Sequence, residues 1–240
     1  MRKLYFFASL LIIACGSPKL ISTTNPVVTE STSEITKVDF AKEENVAKTL
    51  KFLASDDNEG RDSGSKGIEK ASIFLENMMK ENGIKPYFNT YRDTLSNFDK
   101  PAYNIVGYIE GNDPKLKNEF VIIGAHYDHI GKIAAVNGDD IANGANDNAS
   151  GSTAVTEVMK YFAKNKTNKR SVIFTFFSAE EKGLLGSKHL AKKLKAANLD
   201  LYFMFNFEMI GVPMQNKDFI LYLTGFGKTN MASKMNEYAG

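Results

Sequence analysis

Short, almost uninterrupted apolar runs alternate with helical segments along this chain, and this alternation constrains the fold more than any other feature. The runs predict strands at residues 103–109, 120–125, 171–177, 201–207 and 218–223. Apolar residues at helical spacing predict helices at residues 40–53, 66–81, 150–163, 184–197 and 228–238. Strands that are apolar on both faces need helices packed on both sides of the sheet. The sequence therefore predicts one α/β domain over residues 38–240.

The composition is that of an ordinary globular domain. Hydrophobic residues make up 43% of the chain and charged residues 24%, which argues against extensive disorder. The formal net charge is only +2, so the charge balance does not indicate a nucleic-acid partner or an anionic membrane surface. The single cysteine excludes both an intrachain disulfide and a cysteine-rich metal site.

The N-terminal segment has the pattern of an export signal. Residues 1–14 join two basic residues to an apolar run that is shorter than the roughly 20 residues of a membrane-spanning helix. Residues 11–15 resemble the lipobox of bacterial lipoprotein signal peptides, which implies that Cys15 carries the lipid. An ordinary secretory signal and a buried strand are the alternatives. The Ser- and Thr-rich residues 15–37 predict a flexible linker, so we expect a domain in the cell envelope, lipid-anchored to a membrane and facing outside the cytoplasm.

One histidine and several carboxylates follow the predicted strands directly. These side chains are His126 and Asp128 after the second strand, Asp147 in the loop 143–148, Glu180 and Glu181 after the third strand, and Glu208 after the fourth. Ligands bind open α/β sheets at the carboxyl ends of the strands, where the connecting loops form a crevice. We therefore expect these side chains to meet at one edge of the sheet.

The chemistry of this set predicts a metal site. Carboxylates gathered at one place repel one another and are costly to desolvate without a cation, and imidazole with carboxylate oxygen suits Zn²⁺. Glu180 and Glu181 point in opposite directions if the backbone is extended, so one can bind metal while the other faces a metal-bound water. Asp128 can accept the ring N–H of His126 and fix its tautomer. Either pair alone would more often be a surface feature, so the prediction depends on their joint occurrence.

Three segments in sequence order resemble a known family. Residues 124–131 (GAHYDHIG), 143–151 (NGANDNASG) and 177–187 (FSAEEKGLLGS) are similar to the zinc motifs of the bacterial leucyl-aminopeptidase-like exopeptidases, family twenty-eight of the metallopeptidases. Residues 58–65 (NEGRDSGS) resemble the early Gly-Arg signature of that family. The likeness extends over residues 46–211. It implies the zinc exopeptidase fold, in which a central mixed, mostly parallel sheet has helices on both faces.

The resemblance also implies roles for the site residues. His126 would bind one of two zinc ions, Asp147 would bridge them and Glu181 would bind the other. Glu180 would be the general base, and Asp128 would orient His126. The implied reaction is hydrolysis of the N-terminal peptide bond of peptides or proteins by a zinc-activated water, with no nucleic-acid partner and with the membrane contacted only through the lipid.

Two departures from the family pattern stand out. Glu208 occupies a position where family members usually have an aspartate ligand, and we expect Glu208 to bind metal in its place. The family takes its last ligand, a histidine, from farther along the chain. We interpret His129 as part of the loop scaffold and His189 as facing away from the site. We therefore expect the C-terminal part of the domain, with the last histidine, to lie beyond residue 240, so that a chain of this length binds one ion poorly.

Other functions remain open at this stage. The same scaffold supports glutaminyl-cyclase-like acyltransferases, which typically use one zinc ion, and non-catalytic binding domains of the transferrin-receptor type. The acidic pair Asp139 and Asp140 is compatible with a calcium site, although a solvated turn is the simpler interpretation.

Overall fold

The computed structural model describes residues 41–217 and 221–239. Its helices are α1 (Glu43–Leu53), α2 (Lys66–Glu81), α3 (Gly151–Asn165), α4 (Leu185–Ala196) and α5 (Met231–Ala239). Its strands are β1 (Lys85–Pro86), β2 (Arg92–Thr94), β3 (Tyr103–Ile109), β4 (Phe120–His126), β5 (Lys132–Val136), β6 (Asp139–Ile141), β7 (Ser171–Phe177) and β8 (Leu201–Asn206). Among these residues, no helix is both long and apolar enough to cross a bilayer.

The predicted elements are found close to their predicted bounds, with one exception. Strands β3 and β7 and helix α2 begin and end at the predicted residues. The last predicted strand is not found, because residues 221–223 have no strand conformation and residues 218–220 lie outside the described residues. The predicted signal peptide, the lipidated Cys15 and the linker also lie outside the described residues.

The sheet is mixed, which confirms the predicted α/β class. Its strand order is β1-β3-β7-β4-β8, and β2 also pairs with β3. Strand β4 runs parallel to both β7 and β8, whereas β3 is antiparallel to β7. Three parallel strands, β7, β4 and β8, therefore end at the same edge of the sheet.

Strand β7 is the central strand and is buried along its whole length. Side chains alternate between the faces of a strand, so Val172, Phe174 and Phe176 pack with α1, α2 and α3. Ile173 and Phe177 pack on the opposite face with Leu190 and Leu194 of α4. Helices therefore cover both faces of this strand, as the apolar run predicted.

Local sequence features determine where helix α2 begins and ends and which face it buries. The Ser65 hydroxyl caps its first turn by accepting a hydrogen bond from the Ile68 amide at 3.3 Å. Ala71, Leu75 and Met79 continue the apolar face at helical spacing and are fully buried. The helix ends just before Gly83, whose φ of 67° is in the left-handed region.

Substitutions on α2 should separate core packing from surface exposure. Leu75→Ala should lower the free energy of unfolding by about 2–5 kcal/mol, because it opens a cavity beneath the helix. Ile73 lies on the same helix but is 47% exposed, so Ile73→Ala should change stability by only about 0.5 kcal/mol. Urea unfolding of both variants measures the difference, and equal effects would contradict the assignment of the core.

Strand β8 departs from the expectation of a sheet buried on both faces. Leu201, Tyr202 and Met204 are all exposed. Within the described residues β8 pairs with β4 on one side only, so its apolar side chains are less enclosed than those of β7. The strand was correctly predicted, but its burial was not.

A hairpin that was not predicted lies between the loop that contains His129 and the turn that contains Asp147. Strands β5 and β6 pair with each other outside the main sheet, joined by Asn137 and Gly138, which both have positive φ. Asp139 and Asp140 belong to β6 rather than to a turn, and the Asp140 carboxylate lies 3.3 Å from the Lys132 ammonium. Asp140 therefore has a lysine partner on the neighbouring strand.

Candidate metal centre

The predicted site residues converge at the carboxyl ends of the three parallel strands. His126 is the last residue of β4, Glu180 and Glu181 follow β7, and Glu208 follows β8. Asp147 lies in the turn of residues 145–150 that leads into α3. Because parallel strands present their carboxyl ends at one edge, all these side chains reach the same region.

The first group of possible metal ligands is formed by His126, Asp147 and Glu208. The Nε2 atom of His126 lies 3.2 Å from Asp147 Oδ1 and 3.2 Å from Glu208 Oε1. Their ligand atoms all lie within 4.8 Å of one another. Glu208 therefore lies within reach of an ion that His126 and Asp147 could bind.

A second group shares Asp147 with the first. It consists of His129, Asp147 and Glu181. The Nδ1 atom of His129 lies 2.8 Å from Glu181 Oε1 and 3.8 Å from Asp147 Oδ2. His129, which the sequence assigned to the loop scaffold, thus lies among the possible ligands, and the two carboxylate oxygens of Asp147 face different histidines.

Glu180 lies beside the first group without belonging to either group. Its Oε2 atom is 3.9 Å from His126 Nε2. Partial burial raises the pKa of Glu180, the charge of His126 opposes this, and the charges of Asp128, Glu181 and Glu208 raise it further. Glu180 is therefore a titratable carboxylate next to the first group of possible ligands.

Asp128 connects the two glutamates to His126. Its fully buried carboxylate accepts hydrogen bonds from the main-chain amides of Glu180 at 3.1 Å and of Glu181 at 3.3 Å, and from the Ser63 hydroxyl at 3.1 Å. The Nδ1 atom of His126 lies 3.1 Å from the main-chain oxygen of Asp128 and 3.5 Å from its carboxylate. These acceptors favour a proton on Nδ1, which leaves Nε2 free to bind metal.

Asn148, which sequence reasoning missed, links the Asp147 turn to the Glu208 loop. Its side-chain amide donates to the Phe207 main-chain oxygen at 2.9 Å and to Glu208 Oε2 at 3.3 Å. Its side-chain oxygen accepts from the Met209 amide at 3.2 Å. The peptide bond between Asp147 and Asn148 is cis. Asn148 therefore holds two ligand-bearing loops in contact.

His189 lies away from the two groups. Its Nδ1 atom is 3.2 Å from the Ser96 hydroxyl, and its Nε2 atom is 3.4 Å from Asp93 Oδ1. These contacts join α4 to the segment around β2. The partners of His189 are therefore Ser96 and Asp93 rather than the site residues.

The residues present fit a zinc centre. Each group combines one imidazole with two carboxylates, a donor set that zinc accepts, and His126 is almost fully buried. Burial would lower the pKa of His126, but hydrogen bonds to Asp128 and Glu208, and the charges of both, raise it to about 10. A bound cation would replace the proton that this carboxylate-rich setting otherwise favours.

Zinc binding should therefore release a proton at neutral pH. Metal-free His126 is protonated below a pH of about 10, and its Nε2 must be unprotonated to bind metal, so we expect release of about one proton and an apparent affinity that rises with pH. Titration calorimetry at pH 7 in buffers of different ionisation enthalpy measures this number. His189→Asn, on α4, should not change it. Zinc binding without proton release would contradict the assignment of His126.

Imidazole and carboxylate groups gathered at the ends of the parallel strands define this protein as an α/β domain with a possible metal site. Residues 104–239 match the model of peptidase family M28. The chain belongs to this family, as the three motifs predicted.

Individual relatives agree with this assignment. A probable leucine aminopeptidase of Arthroderma otae is 29% identical over 203 residues, which cover 81% of this chain and 51% of the relative. A probable zinc metalloprotease of Pyrenophora tritici-repentis is 35% identical over 107 residues, which cover 45% of this chain and 24% of the relative. The chain thus spans at most about half the length of these relatives.

A solved structure shares the fold. The glutaminyl cyclase of Bacteroides thetaiotaomicron, bound to N-acetylhistamine, has a TM-score of 0.56 and 19% identity, over 72% of this chain and 63% of that protein. At this identity the similarity concerns the fold alone.

Proposed function

We propose that this protein is a zinc-dependent aminopeptidase that hydrolyses the N-terminal peptide bond of peptides or proteins. The observation that carries the proposal is that Asp147 belongs to two groups of possible ligands, with Glu180 3.9 Å from the histidine of the first. Membership of family M28 and the leucine aminopeptidase relative support the reaction class. The zinc metalloprotease relative and the donor set support the choice of metal.

The chain would hold two ions. His126, Asp147 and Glu208 would hold one, and His129, Asp147 and Glu181 would hold the other. When bound, zinc supplies Lewis-acid chemistry, which polarises the scissile carbonyl and lowers the pKa of a water from 15.7 to about 7. Asp147 would contribute a carboxylate ligand to both ions, because it belongs to both groups.

Glu180 would perform the proton transfers. Its carboxylate, with Oε2 3.9 Å from His126 Nε2, would accept a proton from the attacking water and then donate it to the leaving amine. Asp128 would support both steps indirectly, since its carboxylate accepts the main-chain amides of Glu180 and Glu181.

A glutaminyl-cyclase-like acyltransferase is the second candidate, because such an enzyme shares the fold. The two functions differ in substrate and in metal content. We expect full-length protein to release the chromophore from leucine p-nitroanilide, to lose this activity to a chelator and to recover it with zinc. Cyclisation of N-terminal glutamine peptides with no hydrolysis of the anilide would favour the cyclase and contradict the peptidase.

We also propose that the protein is anchored to a membrane of the cell envelope through a lipid on Cys15. The support is the sequence of residues 1–15, in which an apolar run ends in a lipobox-like Cys. Membrane fractionation of cells that express the wild type and Cys15→Ser tests this. The wild type should need detergent for extraction, and an unchanged distribution of the variant would contradict lipidation.

A further inference from the structure

The Gly-Arg segment of residues 58–65 has no part in the proposed reaction, yet it contains the largest of the fully buried side chains. Arg61 is 0% exposed. Burial lowers the pKa of Arg61 to about 10, although the charges of Asp128 and Asp147 act in the opposite direction. A buried guanidinium is costly to desolvate unless its N–H groups donate hydrogen bonds. The hydrogen bonds of Arg61 therefore indicate its role in the fold.

The guanidinium connects three separate segments. It donates from Nε to the Tyr127 main-chain oxygen at 2.8 Å, and from Nη1 and Nη2 to the main-chain oxygens of Asn143 at 2.7 Å and Gly144 at 2.9 Å. Nη1 also donates to the main-chain oxygen of Leu53, at the end of α1. Tyr127 lies between His126 and Asp128, and Gly144 opens the turn that contains Asp147. One side chain therefore holds both ligand-bearing loops against α1.

The backbone of this segment is shaped for that contact. Glu59, Gly60 and Arg61 are consecutive residues with φ of 47°, 67° and 50°, a conformation that non-glycine residues rarely adopt. A Cβ at Gly60 would lie 2.4 Å from the Gly131 main-chain oxygen and 2.6 Å from that of Ala142. Glycine is therefore required here for the close approach to both ends of the β5–β6 hairpin.

Two further contacts extend to the possible ligands. The main-chain oxygen of Arg61 accepts a hydrogen bond from the His129 amide at 3.2 Å. A Cβ at Gly144 would lie 2.7 Å from Nη2 of Arg61 and 2.6 Å from the His129 ring, so Gly144 leaves room for both side chains. Arg61 thus contacts the main chain next to His126, at His129 itself, and at Gly144, three residues before Asp147.

We propose that Arg61 is a positioning residue for the metal centre, which holds the His129 and Asp147 loops at the spacing that the second group of ligands requires. This inference rests on the proposed function, since it assumes that the two groups bind zinc. The positive charge behind Asp128 and Asp147 would also reduce the repulsion among the carboxylates. A lysine could keep the charge, but its single nitrogen could not reach carbonyl oxygens in three segments.

The test compares the zinc affinities of folded variants. In full-length protein, Arg61→Lys and Arg61→Met should each weaken binding of at least one zinc ion by about 10- to 100-fold. This is the typical effect of losing a residue that supports the metal ligands without binding the metal. Arg92→Met is the control, because Arg92 is a partly buried arginine that pairs with Glu69 and Glu76 on α2 and not with the ligand-bearing loops. The control should lower the unfolding temperature and leave zinc affinity unchanged.

Affinity is measured by competition with a chromophoric chelator well below the unfolding temperature of each variant, with circular dichroism as the check on folding. Amide exchange of the metal-free proteins gives a second readout, in which residues 143–148 should exchange faster in Arg61→Lys than in the wild type and the control. Unchanged zinc affinity in folded Arg61 variants would overturn the proposal, and so would the failure of both to fold, which would make Arg61 a general stability residue. If the wild type itself bound no zinc, the proposed function would fail first.

Discussion

Replacing Glu180 by Gln should lower kcat by about 10²- to 10⁴-fold, the usual contribution of a general base, while the protein keeps its zinc. The amide has nearly the same shape as the carboxylate but cannot accept the proton at Oε2. Metal should remain bound because Glu180 belongs to neither group of possible ligands. Its main-chain amide would still donate to Asp128, so the loop should keep its position.

Glu181→Gln is the matched control, since it makes the same chemical change one residue along the chain. Glu181 belongs to the second group, so this variant should lose affinity for one zinc ion, and activity should recover as zinc is raised. Measuring the zinc content and kcat of both variants distinguishes a general base from a metal ligand. Full turnover by Glu180→Gln, or loss of zinc from it, would show that the base has been assigned incorrectly.

Asp147→Ala should have the largest effect on metal binding. Asp147 is the one residue shared by both groups of possible ligands in the described part of the chain, so its removal should weaken both ions. We expect each affinity to fall by more than about 100-fold, because losing a direct ligand costs more than losing an outer partner. The side chain is one-third exposed, so the substitution should not open a core cavity.

Asp140→Ala provides the comparison for this variant. Asp140 is also an aspartate in the segment between the two ligand loops, but it pairs with Lys132 on the β5–β6 hairpin. Its substitution should leave the zinc affinity unchanged. Equilibrium dialysis of both variants against a zinc buffer measures the difference. A loss of only one ion from Asp147→Ala would show that Asp147 does not bridge the two groups.

The parts of the fold that sequence reasoning predicted are those set by local pattern. Helix α2 has a serine cap, a continuous apolar face and a terminating glycine, and its bounds were predicted correctly. Strands β3 and β7 are mostly apolar. The meeting of His126 and Glu208 followed from a general property of parallel strands, whose carboxyl ends lie at one edge.

The parts that were missed depend on contacts between distant segments. Strands β1 and β2 contain only two and three residues, and they are strands because β3 lies beside them. His129 reaches Glu181 because its amide is held by Arg61, a contact across 68 positions that no local pattern reveals. The β5–β6 hairpin did have a signal, since Asn137-Gly138 is a preferred pair for a tight hairpin turn.

The central claim is that one edge of the sheet binds two zinc ions that share Asp147. Anomalous diffraction at the zinc edge, on crystals of full-length protein purified without chelator, tests it most directly. The account predicts two peaks, one between His126 and Glu208 and the other beside Glu181, with the Asp147 carboxylate in contact with both. A single peak distant from Asp147, or no peak after soaking in zinc, would contradict it.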